Sequence, residues 1–182
     1  MLQCNFCQKL LVISTLSFHA QYFDYAQYKC PMPQNITSCD WPIEQLPGLS
    51  QEEISQLQSG GIKTTKALVQ QGKTPDKRLA LASKLQINLQ YVNKWVALAD
   101  LARIPSVGTQ YSGLLLHAGI ASVAQLAQTP THRLHQQIMR LQVATMQRRD
   151  LCPAIELVQQ WFQQARTVLS AESRVKGQES KF

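Results

Sequence analysis

Leu46-Pro47-Gly48-Leu49-Ser50-Gln51-Glu52-Glu53-Ile54 and Ile104-Pro105-Ser106-Val107-Gly108-Thr109-Gln110-Tyr111-Ser112 are two versions of one phrase, set 58 positions apart. At that spacing the match runs on without a gap: Leu57 falls on Leu115, Gly61 on Gly119, Ile62 on Ile120 and Leu68 on Leu126, and upstream Ile43 falls on Leu101. A repeat of this length says that one supersecondary unit has been written twice, and it separates scaffold features from features peculiar to one copy.

Working outward, Thr74-Pro75-Asp76-Lys77-Arg78-Leu79 matches Thr129-Pro130-Thr131-His132-Arg133-Leu134 at a spacing of 55. Val92-x-x-Trp95-x-x-x-Ala99 matches Val158-x-x-Trp161-x-x-x-Ala165 at a spacing of 66. The second copy therefore carries about eleven extra residues within Leu141 to Pro153, an allowance of the size loops tolerate. Ser50 with Glu53 three residues on is a capping box, Gly60 or Gly61 ends the helix it opens, and Thr64 or Thr65 starts a second helix stopped by Gly72. Thr74 caps a third helix with Pro75 in its first turn, and Asn88 opens a fourth in which Val92, Trp95 and Ala99 share one face. The second copy repeats this grammar from Gly108, with Pro153 starting its last long helix. Glycine and proline, eight each, are confined to these punctuation points, while Gln, Leu and Ala are abundant.

The expected fold is all-α: two tandem helical units, 41–102 and 103–170, each a hairpin segment followed by two helices, packed into one body. The equivalent tryptophans, Trp95 and Trp161, are expected in the core, packing between the copies rather than stacking on a ligand. Residues 171–182 read as a flexible tail.

Residues 1–40 are a different text. Leu10 to Phe18 is apolar, and Gln21-Tyr22-Phe23-Asp24-Tyr25-Ala26-Gln27-Tyr28 is aromatic and self-similar, with no later counterpart. This stretch reads as a poorly structured extension, with the native start at Met32. It lacks the basic n-region and small-residue cleavage site of a signal peptide. Cys4-x-x-Cys7 with Cys30 and Cys39 lacks the compact second pair that a zinc knuckle needs, and five cysteines without a secretory signal read as reduced thiols in a cytoplasmic protein. No run approaches the roughly 20 apolar residues that span a bilayer. Eighteen Lys and Arg against eleven Asp and Glu give a formal charge of +7, the sign that phosphates or an acidic protein surface would prefer.

The repeated apolar-Pro-x-apolar segment, helix, Gly-Ile and second helix resemble the helix-hairpin-helix family. That resemblance implies a tight turn whose backbone amides, with the helix dipole, meet a nucleic-acid phosphate without reading base sequence. The family writes the turn Pro-Gly-apolar-Gly, and both copies depart from it. Pro47-Gly48-Leu49-Ser50 lacks the second glycine, and Pro105-Ser106-Val107-Gly108 lacks the first. Glu52 and Glu53 would repel a phosphate from the first copy, whereas Thr109, Gln110 and Tyr111 offer donors without negative charge in the second. The expected nucleic-acid contacts are Ser106, Val107, Gly108, Thr109 and Gln110 of the second hairpin, with Arg133, Arg140, Arg148 and Arg149, whose planar forks suit phosphate. More broadly, residues 41–166 resemble an uncharacterised bacterial family, known chiefly from photosynthetic bacteria, whose domain is related to helix-hairpin-helix folds. The resemblance implies a fold and no activity.

No nucleophile, base and orienting acid coincide, His132-x-x-His135 has no acidic third ligand at a familiar spacing, and no Gly-x-x-x-x-Gly-Lys loop occurs. The reading is therefore non-enzymatic, with no cofactor, metal, membrane or small-molecule substrate. Two functions remain: a non-sequence-specific nucleic-acid (DNA) binder using the second hairpin and a basic helix, or a helical adaptor that docks a protein partner.

Overall fold

A computed structural model describes residues 38–147 and 152–179 of the chain. The expectations placed on residues 1–31, including the start at Met32 and the Cys4, Cys7 and Cys30 arrangement, lie outside the described residues. So do Arg148 and Arg149.

The described fold is all-α, as expected, with no β-strand among the described residues and one isolated bridge between Pro42 and Thr64. After a short 3-10 turn at Ile43–Gln45 come α1 (Gln51–Ser59), α2 (Thr65–Gln71), α3 (Pro75–Leu85) and α4 (Leu89–Ala102). They are followed by α5 (Gly108–His117), α6 (Val123–Gln128), α7 (Thr131–Met146) and α8 (Ile155–Glu179). None of these helices is long and apolar enough to cross a membrane.

Local chemistry sets most of the boundaries. Ser50 Oγ accepts from the Glu53 amide at 3.2 Å while the Glu53 carboxylate accepts from the Ser50 amide at 2.6 Å, so two orphan donors of α1 are satisfied reciprocally. Thr64, Thr74, Asn88 and Ser122 cap α2, α3, α4 and α6 with their side chains. Among the described residues, α5, preceded by Val107, and α7, preceded by Pro130, have no side-chain cap.

The turns joining α1 to α2 and α5 to α6 share their hydrogen bonds. Gly61 donates to Gln58 O and Ile62 to Leu57 O, while Gly119 donates to Leu116 O and Ile120 to Leu115 O. Gly61 and Gly119 sit at φ 87° and 90°, a region that side chains with a Cβ rarely enter. Identical bonds at identical spacing show that these two segments fold by the same local rules.

The core forms two apolar clusters. One gathers Ile43, Leu57, Ile62, Leu68, Trp95 and neighbours up to Ala102; the other runs from Leu101 through Leu115, Leu126 and Trp161 to Val168. Trp95 and Trp161 are both fully buried, one in each cluster, so they pack within the halves and not between them as expected. Each indole removes some 150–250 Å² from water, roughly 4–6 kcal/mol of transfer free energy as an upper figure.

Other contacts join the halves. Leu116 packs against both clusters, and Trp41 Nε1 donates to Ala102 O at 2.8 Å. Asp100 accepts from the Val123 amide at 2.9 Å, at the start of α6, and pairs with Arg103 at 2.7 Å. Arg103 also pairs with Glu172 on α8.

Residues 171–179, read from the sequence as part of a tail, continue α8 as helix, and Glu172 is drawn to a largely buried cation. The extra length of the second half is likewise not all loop: α7 has 16 residues where α3 has 11. Cys39, buried, is disulfide-bonded, so the reading of every cysteine as a reduced thiol does not hold for it.

Two sets of variants test this packing. Asp100→Asn leaves Arg103 short of its more buried partner and weakens the α6 amide bond, so urea denaturation should show a loss of about 3 kcal/mol, against about 1 kcal/mol or less for Glu172→Gln, whose side chain is 42% exposed. A Cβ at Gly72 would overlap the buried Val96 side chain; Gly72→Ala should cost about 1–3 kcal/mol through overpacking, with partial recovery when Val96→Ala is added.

Candidate nucleic-acid interface

In the second hairpin most backbone donors already have acceptors. The Ser106 amide and hydroxyl both donate to Gln164 Oε1, at 3.0 and 2.6 Å, and Trp161 Nε1 donates to Ser106 O at 3.1 Å. The amides of Val107 and Gly108 donate to Ile104 O at 3.1 and 2.9 Å. Gly108, at φ 51°, is buried, and a Cβ there would stand 3.4 Å from the Trp41 ring. The glycine expected to let a phosphate approach thus makes room for an indole. Among the described residues, the amides of Thr109 and Gln110 have no acceptor, as first-turn amides of an uncapped helix do not.

The first hairpin contrasts with it. Gly48 is exposed at φ 77°, and at the position matching Gln164 the first half carries Leu98, which is apolar and accepts nothing. Trp95, matching Trp161, has a buried Nε1 with no hydrogen-bond partner among the described residues. Two side chains that hold the second hairpin from below therefore have no such role in the first. Glu52 and Glu53 nevertheless occupy the first turn of α1 and keep its donors in a negative field.

The arginines lie elsewhere. Arg133 and Arg140 are both exposed on α7, and Arg133 lines a cleft with Ala118 and Gly119 just beyond the end of α5. Since α5 has ten residues, that end lies about 15 Å from Gly108 at 1.5 Å per residue. Arg133 and the hairpin residues thus lie at opposite ends of α5. His117 is held below the usual imidazole range by desolvation and, second, by the Lys94 charge, so it adds no cation here at neutral pH. His135 Nε2 lies 3.6 Å from Cys152 Sγ, whose thiol is pushed up by burial and so carries little nucleophilic thiolate. Among the described residues no group of three or more His, Cys, Asp or Glu side chains could hold a metal ion.

Charge is distributed one-sidedly. From Leu101 to Arg149 no Asp or Glu occurs, although this stretch holds Arg103, Arg133, Arg140, Arg148 and Arg149. Arg103 is neutralised by Asp100 and Glu172, so among the described residues the exposed arginines of this stretch are Arg133 and Arg140.

A family model described as a domain of unknown function (DUF4332) matches residues 47–168, most of the chain. The chain belongs to the DUF4332 family. The match includes both hairpins and all but the last part of α8. No curated protein and no solved structure matches the chain.

The role given to Gln164 in this DUF4332 domain is open to a double-mutant cycle. Gln164→Leu strands the Ser106 donors and should lower stability by about 1–3 kcal/mol in chemical denaturation. Adding Ser106→Gly, which recreates the Gly48 and Leu98 combination of the first half, should cost less than the sum of the two single changes.

Proposed function

We propose that residues 41–170 are two degenerate helix-hairpin-helix-like units, and that the second binds nucleic-acid phosphates without reading base sequence and without catalysis. The observation that carries this reading is the 101–149 stretch free of acidic residues, with Arg133 and Arg140 exposed on α7. Exposed cations with no acid between them raise the local potential toward phosphate. The contacts are the side chains of Arg133 and Arg140 and the open amides of Thr109 and Gln110, extended by Arg148 and Arg149. Ser106, Val107 and Gly108, whose amides have internal acceptors, hold the turn in place and take no phosphate.

An adaptor role has one observation in its favour: Leu79 on α3 and Tyr91 on α4 are, at 56% and 51%, the most exposed large hydrophobic side chains among the described residues. It predicts capture of a defined protein partner that is lost in a Leu79→Ser, Tyr91→Ser variant.

Titration against duplex and single-stranded DNA and RNA across salt concentrations separates the two. The wild-type chain should bind duplex DNA with affinity falling linearly in log salt. Arg133→Glu with Arg140→Glu should reduce the slope by about 0.9 for each phosphate that is no longer neutralised, while leaving the helical circular-dichroism signal intact. Absence of binding at low salt, or a variant that binds like wild type, would overturn the proposal.

A further inference from the structure

The cleft at the end of α5 encloses about 310 Å³ and is lined by Gly119, Gln125, Gln128, Arg133 and Gln137 among others, with no carboxylate in its wall among the described residues. Its floor is fixed by hydrogen bonds. Gln125 accepts from the Ala121 amide at 2.9 Å and donates to Gly119 O at 2.8 Å, so both ends of its carboxamide hold the turn. Thr129 Oγ1 donates to Gln125 O at 2.8 Å, closing the last turn of α6. A Cβ at Gly119 would meet nothing within 4 Å, which leaves that side of the cleft clear.

Three polar side chains over this floor have no partner among the described residues: Arg133, Gln128 and Gln137. Arg133 and Gln137 are four residues apart on α7 and therefore neighbours on one helix face, while Gln128 reaches the cleft from the end of α6. The matching arginine of the first half shows that this freedom is not a general property of the position. Arg78, in the same Thr-Pro-x-x-Arg-Leu pattern, donates through Nε to Gly72 O at 2.7 Å and through Nη1 to Asn93 Oδ1 at 3.3 Å. Asp76, two residues before Arg78, is replaced by Thr131 before Arg133, so the first turn of α7 carries no acid.

We propose that this cleft is a discrete site for a tetrahedral phosphate group. The Arg133 fork bonds two of its oxygens, and the carboxamide N–H groups of Gln128 and Gln137 donate to the others. A fixed floor lets these donors bind without the cost of ordering the turn. The phosphate comes either from a nucleic-acid backbone, in which case the site rests on the function proposed above, or from a free phosphate ester or inorganic phosphate.

Amide chemical-shift titrations of the full chain at constant low ionic strength distinguish these sources, using inorganic phosphate and, separately, a short DNA duplex. Phosphate should shift the amides of Gly119, Gln128 and Arg133 in a saturable manner. Arg133→Gln should weaken it about tenfold or more, Gln137→Leu by a smaller factor, and Lys77→Gln, at an exposed cation of α3, should leave it unchanged. Phosphate that shifts amides indiscriminately along α7, or that titrates Arg133→Gln like wild type, overturns the site. Duplex that shifts the same cleft amides supports a backbone source. If instead the duplex binds without moving them, the backbone source falls while nucleic-acid binding stands. Phosphate occupying the cleft in a chain that ignores DNA supports the site and removes the nucleic-acid reading.

Discussion

A guanidinium buried at the end of a helix has to be neutralised, and much of the arrangement of this domain answers to that requirement. Arg103 follows the last turn of α4 and is 9% exposed. Its charge is balanced by Asp100 one turn back and by Glu172 far along the chain. Asp100 also accepts the first amide of α6, and Arg103 O accepts the Cys39 amide at 2.9 Å. Two ion pairs and two amide hydrogen bonds therefore tie the end of α4 to the start of α6, to α8 and to the entry of the chain. Exposed ion pairs contribute little, but a buried charge deprived of its partner is costly. The two apolar clusters meet beside these pairs, at Leu101 and Ala102.

The halves obey the same turn chemistry and differ in what lies beneath the hairpins. Gln164 and Trp161 grip Ser106 from α8, whereas Leu98 and Trp95 leave Gly48 ungripped. A hairpin whose amides are held internally is rigid and poor in free donors. One that is not held has free donors but sits beside Glu52 and Glu53. The donors of the first turn sit in a negative field and the second keeps only the Thr109 and Gln110 amides open, and this is the physical reason to look to α7 and its arginines for the side-chain contacts to phosphate.

What could be read from the chain was whatever is decided within a few residues. Ser50, Thr64, Thr74 and Asn88 act as caps because an N-cap bond reaches only two or three positions, and the Gly60 and Gly72 stops are equally local. Burial of the tryptophans followed from their helical spacing. Their distribution between two clusters did not, because spacing identifies a face and not the body it packs on. The helical continuation past Ser170 depends on a pairing between residues 69 apart, and the grip on Ser106 on one 58 apart. No local pattern announces either. For the candidate site, residue types and charges were visible, but whether a given amide already had an acceptor was not.

Trp41 gives the fold a direction in time. Its indole donates to Ala102 O and its ring covers Gly108, so it is anchored by residues that leave the ribosome some sixty positions later. The main-chain groups of Trp41 bond to Thr65 much earlier, which places the ring near its station before its partners exist. A chain synthesised from its N-terminus must therefore carry an open indole through completion of the first four helices, and the arrival of α5 closes it. The two halves are thus not interchangeable cassettes: the first is finished only by the second, and the order in which they are joined is part of the structure.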